Sequence, residues 1–92
     1  MLAAADELRL EVFPNVIDDR AAVRLTLPAA DKVSLLLFNH QGQLLRTYLA
    51  VDYLEKGPHY YQLDAAHLSG GFYYLQALTP HGVAKQKLVV QR

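Results

Sequence analysis

The strongest constraint on this chain is the shortness of its apolar segments and the regularity of the turn signals between them. Clusters containing Gly, Pro, Asn or Asp fall at Pro14 to Asp19, Pro28 to Asp31, Asn39 to Gly42, Asp52 to Pro58, Asp64 to Gly71 and Thr79 to Gly82. These residue types supply turn geometry. The intervening segments are Leu8 to Phe13, Ala22 to Leu27, Lys32 to Phe38, Leu44 to Val51, His59 to Leu63, Phe72 to Leu78 and Val83 to Val90. Period two runs through several of them. Leu8, Leu10 and Val12 alternate with Arg9 and Glu11, and Val23, Leu25 and Leu27 alternate with Arg24 and Thr26, the pattern of strands with one buried and one wet face. Leu35 to Phe38 is apolar on both faces, which predicts a central strand whose outer side is covered by a loop or a partner. Helix finds weak support, the best case being one turn from an Asp64 N-cap to Leu68, stopped by Gly70 and Gly71.

Seven short strands separated by turns predict an all-β fold, a seven-stranded antiparallel immunoglobulin-like β-sandwich, without the cysteine pair of antibody domains. Tyr73 follows the Gly70-Gly71 turn at the start of a late strand. It is the candidate for a tyrosine corner, whose hydroxyl returns to an upstream backbone group, and Gly71 supplies the tight turn before it. The domain reading is a stub over residues 1–7 and one sandwich over 8–92, with a monomer expected. A chain of 92 residues has a small core, and its apolar residues must serve that core. The absence of cysteine removes disulfides and thiolate metal sites.

Nine basic residues against nine acidic ones make the formal net charge zero, so there is no electrostatic case for nucleic acid or an anionic membrane surface as partner. The zero hides a split. Residues 1–64 hold all nine acids and six bases, net −3, whereas 65–92 hold only Lys85, Lys87 and Arg92, net +3. The two parts either attract each other within the fold, are read separately by a partner, or form an ordinary surface dipole. No segment approaches the roughly 18 consecutive apolar residues of a membrane-spanning helix, so direct membrane insertion is not expected. Met1 to Ala5 is too short for a signal-peptide core and lacks a basic start. The expectation is therefore either a cytoplasmic domain or a fragment whose export signal lies upstream.

The residues that carry chemistry are scattered. His40, His59, His67 and His81 lie in or beside turns with no metal-binding spacing. Neither Ser34 nor Ser69 sits in a nucleophile elbow. Asp18-Asp19 reads as a turn rather than a calcium site, and Gly70-Gly71 precedes a strand, which excludes a phosphate loop. No catalytic residue, metal or cofactor is expected, and the chain is not expected to be an enzyme. Tyr60-Tyr61 and Tyr73-Tyr74 must each turn one ring outward in a regular strand. Those rings either form an exposed patch for glycan or protein, or are cross-strand neighbours of one another.

The order of motifs resembles a known family. Leu10-Glu11-Val12-Phe13-Pro14-Asn15 is similar to the "L-x-V-Y-P-N-P" opening of the C-terminal sorting domains of type IX secretion cargo in Bacteroidetes. Val33 to Leu45, with Asn39-His40-Gln41-Gly42, resembles that family's central strand and its "D-x-x-G-R/K-x-V" turn. Gly57 with Tyr60, Gln62, Leu63 and Asp64 comes next. Leu68-Ser69-Gly70-Gly71-Phe72-Tyr73-Tyr74-Leu75 then matches "L-x-x-G-x-Y-x-L", and Lys85-Gln86-Lys87-Leu88-Val89-Val90 resembles the closing "K-K-L-V-V". Val16 stands where the second proline is usual, and Phe13 replaces the usual Tyr, departures confined to the first turn. Other bacterial immunoglobulin-like modules, such as that of the flagellar hook-capping protein, are the nearest rival.

The resemblance implies a tag rather than an enzyme. It implies an upstream passenger in the same chain, recognition by secretion-apparatus proteins after periplasmic transit, and removal by a surface sortase that commonly joins the passenger to anionic lipopolysaccharide. The cut would fall in or before Met1 to Glu7. An extracellular adhesion or carbohydrate-binding module is the alternative. The residues expected to be read by a partner are Lys85, Lys87, Leu88, Val89 and Val90 on the last strand, which would dock by strand addition. The same lysines also suit plain protection of an edge strand. Pro14, Asn15, Gly42, Gly71 and Tyr73 are expected to carry the fold's turns and corner.

Overall fold

The computed structural model describes residues 7–92 and is all-β. Eight strands run in order: β1 (Arg9–Phe13), β2 (Val16–Ile17), β3 (Arg20–Leu27), β4 (Asp31–Asn39), β5 (Leu44–Leu54), β6 (Gly57–Asp64), β7 (Gly71–Thr79) and β8 (Gly82–Val90). They form a three-stranded sheet, β1-β3-β6, and a five-stranded sheet, β2-β8-β7-β4-β5. The sandwich class is the one the alternation requires, but the strand count is eight rather than seven. The added strand, β2, sits inside the Pro14 to Asp19 turn cluster and pairs parallel with the end of β8, Val16 opposite Val89 and Ile17 opposite Val90. It forms because Ile17 is fully buried, and once that side chain enters the core its backbone lies beside β8.

Alternation becomes layering. In β3 the buried positions are Ala21, Val23, Leu25 and Leu27; in β4 they are Val33, Leu35 and Leu37; in β7, Tyr73, Leu75 and Ala77. These meet Leu10, Val12, Leu63, Leu88 and Val90 in one core with no buried polar or charged residue among those described. Full burial of each Leu or Val contributes about 1.5–3 kcal/mol. The Leu35 to Phe38 run lies on β4, paired on both sides by β5 and β7. It is one strand in from the sheet edge rather than central, and its outward residues Leu36 and Phe38 are only half-buried.

The β4–β5 hairpin shows how one side chain sets a turn. Asn39 Oδ1 accepts from the backbone N–H of Gln41 and of Gln43, both at 2.9 Å, and Gly42 closes the loop at φ +84°. Asn39 thus acts as the side-chain acceptor that Asp and Asn commonly supply in turns. β5 then runs past its expected end at Val51 to Leu54 by bulging. Its register against β4 shifts three times, and Val51 takes φ +57° with its N–H donated to Ser34 Oγ at 3.1 Å. Asp64 to Leu68 is a single turn and not helix. Asp64 Oδ1 accepts from Ala66 N at 3.0 Å, while Ala65 N is spent on the distant Asp19 carbonyl at 2.6 Å.

Candidate recognition surface

The last strand has two unlike faces because side chains alternate along it. Leu88 and Val90 point inward and are 0% and 2% exposed. Contrary to the expectation for partner contact, these side chains are core, and of the expected residues only Lys85, Lys87 and half-buried Val89 face outward. The expectation of a free terminal edge is corrected too. Val89 N donates to Asn15 O at 2.9 Å and Gln91 N to Ile17 O at 2.8 Å, so strand addition has no vacant backbone groups at that end. Asn15 and Pro14 carry the chain from β1 into this cap. The stretch of β8 before Val89 pairs only with β7 among the described residues.

Outward-facing Lys87 places its ammonium 4.2 Å from the centre of the Phe72 ring, a cation–π contact. Register sets Lys87 opposite Tyr74, with Phe38 next to Tyr74 and Leu44 next to Phe38. Lys85 is opposite Gln76 and then Leu36. A shallow hollow of about 350 Å³ lies here, with Phe38, His40, Tyr74, Gln76 and Lys85 in its lining. Tyr74 therefore neighbours Phe38 rather than Tyr60 or Tyr61. Those two belong to β6 of the other sheet, which corrects the cross-strand pairing expected of the tyrosines. Tyr60 is 68% exposed and Tyr61 half-buried. Burial raises the Tyr61 hydroxyl pKa, and Asp52 adds to the rise.

Around this strand the corner residues hold the end of the sandwich together. The Tyr73 hydroxyl donates to Ser69 O at 2.7 Å, the return bond of a tyrosine corner. Gly71 enters β7 at φ +146°, a conformation that side-chain-bearing residues rarely adopt. The sequence pattern assigns Arg92 nothing beyond its charge. Its guanidinium donates to the carbonyls of Leu68 (3.1 Å), Asp18 and Ala65, and pairs with Asp19 at 3.4 Å. The basic end and the acidic body do attract each other within the fold at this point. Gly70 leaves room for that reach, since a Cβ there would stand 3.2 Å from Arg92 Cβ.

The remaining polar residues are dispersed. His81 pairs with Asp31 at 2.8 Å at the far end of the sheets, and this bond, helped by the Lys32 N–H, holds the Asp31 carboxyl below its ordinary pKa despite partial burial. A cleft of about 610 Å³ beside this pair is lined by Leu8, Leu27, Pro28 and Val83 among others. His59 bonds the Glu55 carbonyl at 2.8 Å. No group of three or more His, Cys, Asp or Glu able to hold a metal occurs among the described residues.

The family of secretion system C-terminal sorting domains has a model that matches residues 11–91. The chain belongs to that family. The sorting domain also resembles a solved structure, dimeric latent PorU from Porphyromonas gingivalis, with a TM-score of 0.70 and 18% sequence identity. The likeness, which supports the fold, covers 90% of this chain and 9% of that one. No curated protein matches the sequence. The sorting domain is thus a type IX secretion signal module, which directs export toward the cell surface or the extracellular space and implies an attached passenger and a secretion machinery that recognises it.

Proposed function

We propose that this sorting domain carries an N-terminally attached passenger through the periplasm and across the outer membrane, is removed there by a surface sortase, and performs no catalysis itself. The family match over residues 11–91 carries the reading. The physical build supports it: the buried apolar residues form one core, and the outward lysines, the Tyr73 corner and the Arg92 contacts lie on or beside the last strand. The sortase cut expected at Met1 to Glu7 falls, apart from Glu7, outside the described residues. Glu7 itself is exposed in a bend two residues before β1, where a protease meets accessible backbone.

The test is a signal peptide–reporter–domain fusion in a Bacteroidetes host, with the surface reporter analysed by intact mass and C-terminal sequencing. A surface reporter that has lost residues 8–92 is the expected product. A surface reporter still bearing the whole domain overturns the sortase step.

A further inference from the structure

The two outer faces of the sandwich differ in a way that a uniform surface would not. The three-stranded sheet carries mixed charge, and its central pair is already neutralised: Arg24 reaches Glu11 at 2.7 Å and stacks over Phe13 at 5.4 Å. On the five-stranded sheet, alternation turns Lys32, Lys85 and Lys87 outward, and no carboxylate occupies the outward positions of β4, β7 or β8. Apolar side chains occupy most of the rest. Phe72, Val83, Val16 and Leu44 are 48–57% exposed, and Leu36, Phe38, Tyr74, Leu78 and Val89 are half-buried beside them. Water covers large apolar side chains here over several adjacent strands, an arrangement that marks interaction sites.

We propose that this outer face, rather than the edge of the last strand, is where the sorting domain docks onto a protein of the secretion machinery, one that presents carboxylates along an apolar strip. The proposal rests on the sorting reading above. Charge selects the partner. Every charged side chain at the outward positions of β4, β7 and β8 is a lysine, so an acidic surface is attracted and a basic one repelled. Lys87 held over Phe72 gives one cation a defined position instead of a freely moving tether. Backbone pairing is restricted on both sides of the sheet: β2 occupies the edge of β8 at Val89 and Val90, leaving only the stretch before them open, and bulges twist β5, a known way of blunting an edge. A lipid surface is disfavoured, because three lysines fall short of the roughly four to eight basic residues that hold a protein on anionic lipid. The apolar groups also lie within a pleated face instead of protruding from a loop.

The experiment uses the passenger fusion in a host with a working type IX system. K85E/K87E should lower surface reporter at least tenfold, whereas K85R/K87R should export normally. R9E/R20E changes total charge equally on the other sheet and should also export normally. Circular dichroism of purified K85E/K87E should show a folded domain. A photo-crosslinking residue at Gln76 should capture a secretion-apparatus protein at a site rich in Asp or Glu, and one at Thr26 should not. Changing those acids to Lys should restore export of K85E/K87E. Equal export of folded K85E/K87E and wild type overturns the proposal, as does a Gln76 product that is lipid or binding of the wild-type domain to phosphatidylglycerol vesicles. Failure of the wild-type fusion to reach the surface is a different result, which removes the sorting reading itself and this proposal with it.

Discussion

Arg92 joins three separate segments through one side chain, and its removal is the sharpest test of how the last strand is held. Arg92→Ala deletes donors to the carbonyls of Leu68, Asp18 and Ala65 and the pairing with Asp19. Hydrogen bonds to a charged group are worth about 1.5–3 kcal/mol net when shielded. The Arg92 side chain is 32% exposed and that of Asp19 is 73% exposed, so the ion pair adds little, about 0–1 kcal/mol. Water replaces the guanidinium at the surface carbonyls, whereas the carbonyl of fully buried Ala65 loses its charged donor and keeps only the Leu68 N–H at 3.0 Å. One shielded bond and the remnants of the others amount to about 2 kcal/mol. For a domain of this size 1 kcal/mol moves Tm by roughly 4–8 °C, which predicts a fall of about 8–16 °C. Thermal unfolding by circular dichroism, checked for reversibility, measures it. Arg92→Lys keeps the charge but cannot reach three carbonyls at once, and should lose about half as much. A Tm for Arg92→Ala within about 2 °C of wild type would refute the reasoning.

Leu75→Ala empties a fully buried core position and should cost about 2–5 kcal/mol by urea unfolding; a loss below about 1 kcal/mol would mean the core repacks freely. Tyr73→Phe removes the donor to Ser69 O and should cost about 1 kcal/mol with the fold intact, read from the urea midpoint at unchanged slope. Val51→Gly should raise Tm, since Val51 is 65% exposed at φ +57° and relief of a strained β-branched residue outweighs the added chain entropy by about 0.5–1 kcal/mol; a lower Tm contradicts this. The Asp31 pKa is depressed in the fold by His81, so its stabilisation is present above the carboxyl's unfolded pKa and is lost as pH falls through the lower folded one. In His81→Ala, carbon-13 NMR should show Asp31 titrating nearer its ordinary value, and an unchanged Asp31 titration would sink the pairing.

The strands that alternate cleanly were readable because burial on one face imposes a period of two. β1 and β3 differ from the sequence expectation by one or two residues at their starts, and Tyr73 makes its bond where the Gly-Gly turn places it. What was hidden depends on contacts distant in the chain. β2 is two residues long and surrounded by turn formers, and only its pairing with β8 makes it a strand. Tyr60 and Tyr74 sit on different sheets, which local pattern does not encode. The grasp of Arg92 on residues 18, 65 and 68 likewise has no periodic signature, and the neighbouring Gly70 was legible only as a turn residue. The recognition residues divided along the same line: alternation places Lys85 and Lys87 outside and Leu88 and Val90 inside, whereas docking by strand addition had called on both sets.

The central claim is that this fold is read as a secretion signal. Its most direct measurement is the surface fraction of a reporter carrying an N-terminal signal peptide and residues 7–92 at its C-terminus, compared between a Bacteroidetes host with a functional type IX system and the same host without it. Surface reporter in the first and periplasmic reporter in the second is the predicted result. The same distribution in both hosts would contradict it.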